Sequence, residues 1–373
     1  MSEYRPVWAE IDLDAVRANV RAFRETVLPA SVCAVVKAEG YGHGAVEVGR
    51  AALDAGAGSL AVALVEEGAH LRDADIDAPI FVLSEPVPDA AESVVTHRLT
   101  PVVYTTGGID ALAKAAAQAS LSEPLAVHLK VDTGMHRVGC APEVAVDLAS
   151  HVVERPELEL AGVCTHFAVA DEPDNDYTEQ QRQKFEAVLA ELRAQDLPTG
   201  IVHACNSAGA LTAPKARYDM VRVGIGVYGI PPAPGLAGAI ELRPVMALKA
   251  HVSHMQQLAA GERVSYGLRW RAERSTRVAT VPAGYADGVP RELSLRGGEV
   301  LVRGRRFPIA GTVTMDQLMV DVGDAAVEVG DEVVLLGRQG DDEITAQEWA
   351  DHMDTIGYTI VCGIGPRVPR RFV

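Results

Sequence analysis

The sequence predicts an α/β fold, an N-terminal (β/α)8 barrel of the TIM type followed by a mainly β C-terminal domain. Three observations predict it. Short apolar runs alternate with amphipathic helical stretches through the first part of the chain. A Pro/Gly/Ala-rich segment, PPAPGLAGA at 231–239, ends that alternation. Beyond it, strand patterns follow one another with little helix between them.

In chain order, Leu13, Val16, Val20, Phe23 and Val27 recur at helical spacing and predict an opening helix. Eight strand candidates follow, at 32–36, 60–64, 79–83, 101–104, 125–131, 158–166, 201–204 and 220–223. Helical patterns separate most of them; the clearest carries Phe185, Val188, Leu189 and Leu192 on one face. The barrel is therefore expected over residues 12–236. Strands at 277–281, 300–303, 318–322 and 332–336, with one helix at 346–353, define the second domain, 237–373, which residues 1–11 are expected to join.

Composition narrows the function classes. A chain of 373 residues with 48% hydrophobic and 23% charged residues is globular. A formal net charge of −17 argues against a general nucleic-acid surface, which needs clustered Lys and Arg. No apolar run approaches the roughly 18 residues that span a bilayer. The opening MSEYRPVWAE is no secretory signal, so a cytoplasmic protein is expected. Its five scattered cysteines read as reduced thiols.

In a barrel of this kind the chemistry sits at the C-terminal ends of the strands. Polar residues gather at those positions here. Lys37 follows the first strand, in VVKAEGYGHG; a buried lysine loses its proton more readily and forms a Schiff base with a carbonyl. Lys130 ends the fifth strand, with Arg137 in the loop after it. His166 ends the sixth, His203 lies in the seventh with Asn206 and Ser207 following, and Arg222 ends the eighth. The small residues of SAG (207–209) and RVGIGVYG (222–229) expose backbone N–H groups where such barrels often hold a phosphate. His43, His166 and His203 lack the spacing of a metal motif, and no metal site is expected.

Taken together, VVKAEGYGHG, HLKVDTGMHRVG, GVCTHFAVAD, HACNSAG, VRVGIGVYG, VSYG, GYADGVPR, TMDQ and RVPR resemble bacterial alanine racemases in order and spacing, over essentially the whole chain. The resemblance implies a pyridoxal 5′-phosphate (PLP) enzyme that interconverts L-alanine and D-alanine with two bases, Lys37 and Tyr266. It implies that Lys37 carries the cofactor. Tyr41, Ser207, Gly224, Ile225 and Tyr358 would hold its phosphate beside Asn206, Arg222 would face the pyridine nitrogen, and His166 would lie against the ring. Arg137 would meet the substrate carboxylate, and Lys130 would be carbamylated to orient it. Tyr266 and Met315, with Asp316 beside them, would reach in from a partner subunit, giving a homodimer with shared sites. Tyr285 would narrow the entrance, and His203 would support the site. Departures are Glu39–Gly40 after Lys37, His136, Thr312 where Arg is common, and Gly357 and Thr359 flanking Tyr358. Alternatives left open are a broader amino-acid or serine racemase, a decarboxylase of the same fold type, a non-catalytic PLP-binding protein and a metal-dependent barrel enzyme.

Overall fold

Among the described residues, 4–373 of a computed structural model, eight parallel strands close a barrel. They are Ser31–Val35, Ser59–Val62, Ile80–Val82, Thr100–Val103, Leu125–Lys130, Leu158–Cys164, Ile201–His203 and Met220–Val223. The first pairs with the last, Ser31 opposite Met220 and Ala34 opposite Val223, which closes the ring. Strands buried on both faces read as continuous apolar runs, and this made them visible in the sequence. Residues 1–3, part of the segment expected to join the second domain, lie outside the described residues.

The opening helix spans Leu13–Val27, with Val16, Val20, Phe23 and Val27 fully buried. Gly226, in the turn after the eighth strand, lies against Phe23; a Cβ there would run into the ring. The helix Tyr177–Ala194 buries Phe185, Val188, Leu189 and Leu192, and also Gln181, whose carboxamide accepts from Ala168 N and donates to His166 O.

One expectation needs correcting. The sixth strand stops at Cys164, so His166 stands in the loop beyond it. Thr165 N still bonds His203 O of the seventh strand at 3.2 Å, but its carbonyl is taken by the Arg222 guanidinium rather than by a strand N–H.

After Lys37 the chain makes a turn of unusual hand. Ala38, Glu39, Gly40 and Tyr41 have φ of 51, 54, 59 and 53°, in the left-handed region. Only glycine enters that region without a steric cost of roughly 1–2 kcal/mol per residue. The turn is tied down by Glu67, whose carboxylate accepts from the N–H groups of Ala38 (2.7 Å), Ala63 (2.8 Å) and Leu64 (3.1 Å).

Contacts divide the chain into two compact units. Residues 16–40 and 45–243 form the barrel unit; residues 4–15, 41–44 and 244–373 form a β-rich unit. In the latter, Val7–Ile11 pairs antiparallel with Met246–His251 and parallel with Arg370–Phe372. This sheet continues through Glu332–Gln339, Glu299–Val302 and Arg305–Pro308. A three-stranded sheet joins His254–Leu258, Thr276–Val281 and Leu318–Gly323. A small hairpin pairs Arg263–Val264 with Trp270–Arg271. The expected helix Ala346–Met353 is present, and a second, Gly357–Cys362, follows it. Six residues are too few to show a helical period, and the sequence did not reveal this second helix.

Candidate active site

In the barrel unit, the charges of Lys37, Arg137 and Arg222 act on Lys130, and those of all four act on His166. The strand-end positions read from the sequence are therefore neighbours in space. Arg222, 5% exposed, is held by four acceptors: His203 Nδ1 at 2.5 Å from one terminal nitrogen, and Thr165 O (2.9 Å), His166 Nδ1 (3.0 Å) and Ala204 O (2.9 Å) from the other. Arginine has five N–H donors and no acceptor, so both imidazole nitrogens facing it must accept. His166 therefore carries its proton on Nε2. Burial, with the Arg222 charge second, keeps His166 well below the ordinary histidine range. The Nε–H of Arg222 has no acceptor among the described residues.

Lys130 is 7% exposed and donates to Leu83 O at 2.8 Å. Desolvation lowers its pKa to about 8; Cys164 acts in the opposite sense, and the Arg222, Arg137 and Lys37 charges add to the lowering. Arg137 is exposed on a loop organised by Asp132. Asp132 Oδ1 accepts from the N–H groups of Gly134 (2.9 Å), Met135 (2.9 Å) and His136 (3.1 Å). Against the upward push of desolvation, these donors hold the Asp132 carboxyl below its usual range. Among the described residues Lys130, Arg137 and Arg222 have no carboxylate partner.

Beside the eighth strand, Ser207 Oγ accepts from Gly224 N (2.9 Å) and Gly226 N (3.3 Å), leaving its own proton to donate. Asn206 Oδ1 accepts from Gly209 N at 2.9 Å and caps the helix Ser207–Thr212. Ile225 is buried in the same turn.

The remaining expected residues lie in the β-rich unit. The rings of Tyr41 and Tyr358 are 6.2 Å apart between centroids. Tyr266 stands at the tip of the small hairpin, 71% exposed. Thr312, buried at 1% exposure, donates to Tyr266 O at 3.0 Å, and its carbonyl accepts from Ser265 Oγ at 2.5 Å. Thr312 thus holds the Tyr266 turn from behind. Tyr285 and Met315 sit on two loops joined by backbone bonds, Tyr285 N to Thr314 O (2.9 Å) and Ala286 N to Met315 O (3.1 Å). Asp316 pairs with Arg367 at 2.7 Å.

Sequence reasoning missed two contributors. His128, two residues before Lys130, bonds His203 at 2.8 Å; its place on the Lys130 face of a strand was the available signal. Gln181 was hidden in a helix whose apolar stripe drew the eye. No group of three or more His, Cys, Asp or Glu side chains among the described residues could hold a metal ion.

The fold and the site define a (β/α)8 barrel protein that gathers lysine and arginine side chains at the C-terminal ends of its strands. The chain matches the family models for the alanine racemase N-terminal domain over residues 11–232 and the C-terminal domain over 245–372. It is 51% identical to the alanine racemase of Symbiobacterium thermophilum, over 98% of this chain and 97% of that one. It is 44% identical to that of Desulfovibrio desulfuricans, over 99% and 98%. The solved alanine racemase from D-cycloserine producing Streptomyces lavendulae matches with a TM-score of 0.94 at 40% identity, covering 100% of this chain and 98% of that one. The chain belongs to the alanine racemase family.

Proposed function

We propose that the protein interconverts L-alanine and D-alanine, the isomerase activity its family membership supports, with PLP held among the residues just described. The carrying observation is the set of cations around His166 in which Lys130, Arg137 and Arg222 lack carboxylate partners. Such a set favours an anionic ligand. The donors fit the cofactor part by part. Lys37 offers an amine for its carbonyl. Ser207 and the Gly224–Ile225 turn, with Tyr41 and Tyr358, offer hydroxyls and N–H groups for its phosphate. The unpartnered Nε–H of Arg222 offers a donor to its pyridine nitrogen.

PLP, when bound, supplies an electron sink that stabilises a carbanion at the amino-acid α-carbon. The chain supplies the rest. Arg137 binds the substrate carboxylate, and Lys130, carbamylated, orients Arg137. Its low pKa favours the neutral amine that carbamylation needs. Lys37 Nζ exchanges a proton with the α-carbon on one face, and Tyr266 of the partner subunit does so on the other. Arg222, fixed as a donor and a cation, disfavours a second positive charge at the pyridine nitrogen. Tyr285 and Met315 of the β-rich unit, 237–373 in the sequence reading, close the space beyond the β-carbon. In a cell this activity provides D-alanine as a peptidoglycan precursor, and we place the protein in the cytoplasm as a homodimer.

The test is direct. The purified protein should be yellow, should convert either alanine enantiomer to the racemate by chiral chromatography, and should retain cofactor on the Lys37 peptide after borohydride reduction. Cofactor on another lysine, or faster racemisation of lysine than of alanine, would defeat the assignment.

A further inference from the structure

Inside the barrel a buried hydrogen-bond chain continues past the groups assigned above. His128 lies on the strand Leu125–Lys130 and is 1% exposed. Its Nδ1 is 2.8 Å from His203 Nε2, and His203 Nδ1 is 2.5 Å from Arg222. One fact sets the direction of this chain: a guanidinium cannot accept. His203 Nδ1 must therefore accept from Arg222. A neutral His203 then carries its single proton on Nε2 and donates it to His128 Nδ1. His128 in turn keeps its own proton on Nε2.

Both rings are neutral. Burial, with the Arg222 charge second, pushes His128 down to about 4 and His203 well below the ordinary range. The surroundings fit the ring of His128 closely. A Cβ on Gly162, on the neighbouring strand, would lie 2.6 Å from His128 Nδ1 and Cε1. The Phe81 ring packs 4.8 Å from His128 and 6.1 Å from His203, between centroids.

We infer that His128 is a positioning residue for the racemisation: by accepting the His203 proton at Nδ1 it holds the His203 ring with its own Nδ1 toward Arg222, and so fixes the guanidinium at the mouth of the barrel. Without that acceptor, the His203 proton has two places to go. On Nε2 it is a buried donor with no partner. On Nδ1 it faces the Arg222 donor. On Nε2 one buried hydrogen bond is lost; on Nδ1 the bond from Arg222 is lost as well, so the proton stays on Nε2 and the His203 ring loses the partner that held it in place. The consequence for activity rests on the proposed role of Arg222, but the tautomer does not.

The experiment compares the unsubstituted holoenzyme with His128→Asn and His128→Leu. Asn places an oxygen on Cγ where histidine has Nδ1; Leu has similar bulk and no acceptor. Two-bond 1H–15N correlation spectra of 15N-histidine-labelled protein report which ring nitrogen carries the proton. In the unsubstituted protein and in His128→Asn, the His203 proton is expected on Nε2. In His128→Leu the proton is expected to stay on Nε2 but to lose its hydrogen bond, read as an upfield shift of the Nε2–H proton resonance. The racemisation kcat should fall about tenfold in the Leu variant, the effect of one buried hydrogen bond. The Asn variant should recover most of it, with the alanine KM little changed in both. A proton on His203 Nδ1 in the unsubstituted protein overturns the inference. So does an Asn variant that matches the Leu variant in both the Nε2–H shift and kcat. The expected tautomers in a protein that does not racemise alanine would uphold the hydrogen-bond chain and overturn the functional reading instead.

Discussion

Lys130 occupies a place where a positive charge is unfavourable. It is buried, it donates to one carbonyl, and the charges of Arg222, Arg137 and Lys37 surround it. Its pKa falls from 10.5 to about 8, so between these values the unfolded chain binds the proton that the folded chain has released. Stability therefore rises with pH across that window. Equivalently, the contribution is fully present above the unfolded value and is lost as pH falls through about 8. In carbon dioxide-free buffer, the melting temperature of the unsubstituted protein relative to Lys130→Met should increase from pH 8 to pH 10.5, measured by circular dichroism. A flat difference would show that the amine is not desolvated. At this scale the sequence was informative where a side chain ends a strand, as Lys130 and Arg222 do. It was silent on His128, because a histidine within an apolar strand usually packs as an ordinary core residue.

Among the elements, the Tyr266 hairpin tip shows how little covers a residue proposed to move a proton. Ser265, Gly267 and Leu268 have φ of 65, 74 and 48°, and the tyrosine ring is largely exposed. Two bonds to Thr312 hold the turn in place. Thr312→Val removes the hydroxyl that satisfies Tyr266 O while keeping the volume. It should lower kcat by about threefold to tenfold, as the loss of one hydrogen bond implies. Thr312→Ser keeps the hydroxyl and should stay within about twofold of the unsubstituted enzyme. Equal losses in both variants would assign the effect to packing. Alternation of apolar runs made the barrel strands legible, because each is buried on both faces. The turn after Lys37 was not legible: its glycines mark a bend, but Ala38, Glu39 and Tyr41 give no sign of left-handed backbone. The grouping of residues 41–44 with the β-rich unit likewise left no mark in composition or period.

For the whole molecule, the proposal is that neither subunit holds a complete site. Tyr266, Leu268, Tyr285 and Met315 are exposed on the β-rich unit, the kind of apolar exposure an interface covers. Lys37→Ala and Tyr266→Phe proteins should each be nearly inactive. Mixed under conditions of subunit exchange, half of the dimers are heterodimers, each with one site carrying both defects and one carrying neither. Roughly a quarter of the unsubstituted activity should return by the symmetry of a twofold dimer. Confirmed exchange without recovery would show that Tyr266 serves its own subunit. No helix among the described residues is long and apolar enough to cross a membrane.

The three residues after Lys37 trace the mirror image of an ordinary helical turn. An amino acid of opposite chirality would meet no steric penalty there. A protein read as a source of D-alanine thus contains, at Ala38, a position whose backbone suits D-alanine itself. Installing D-alanine at residue 38 by peptide ligation should raise the unfolding free energy by roughly 1–2 kcal/mol, the cost an L-residue bears in this region. The same inversion at Ala113, inside the right-handed helix Thr106–Ala119, should lower it.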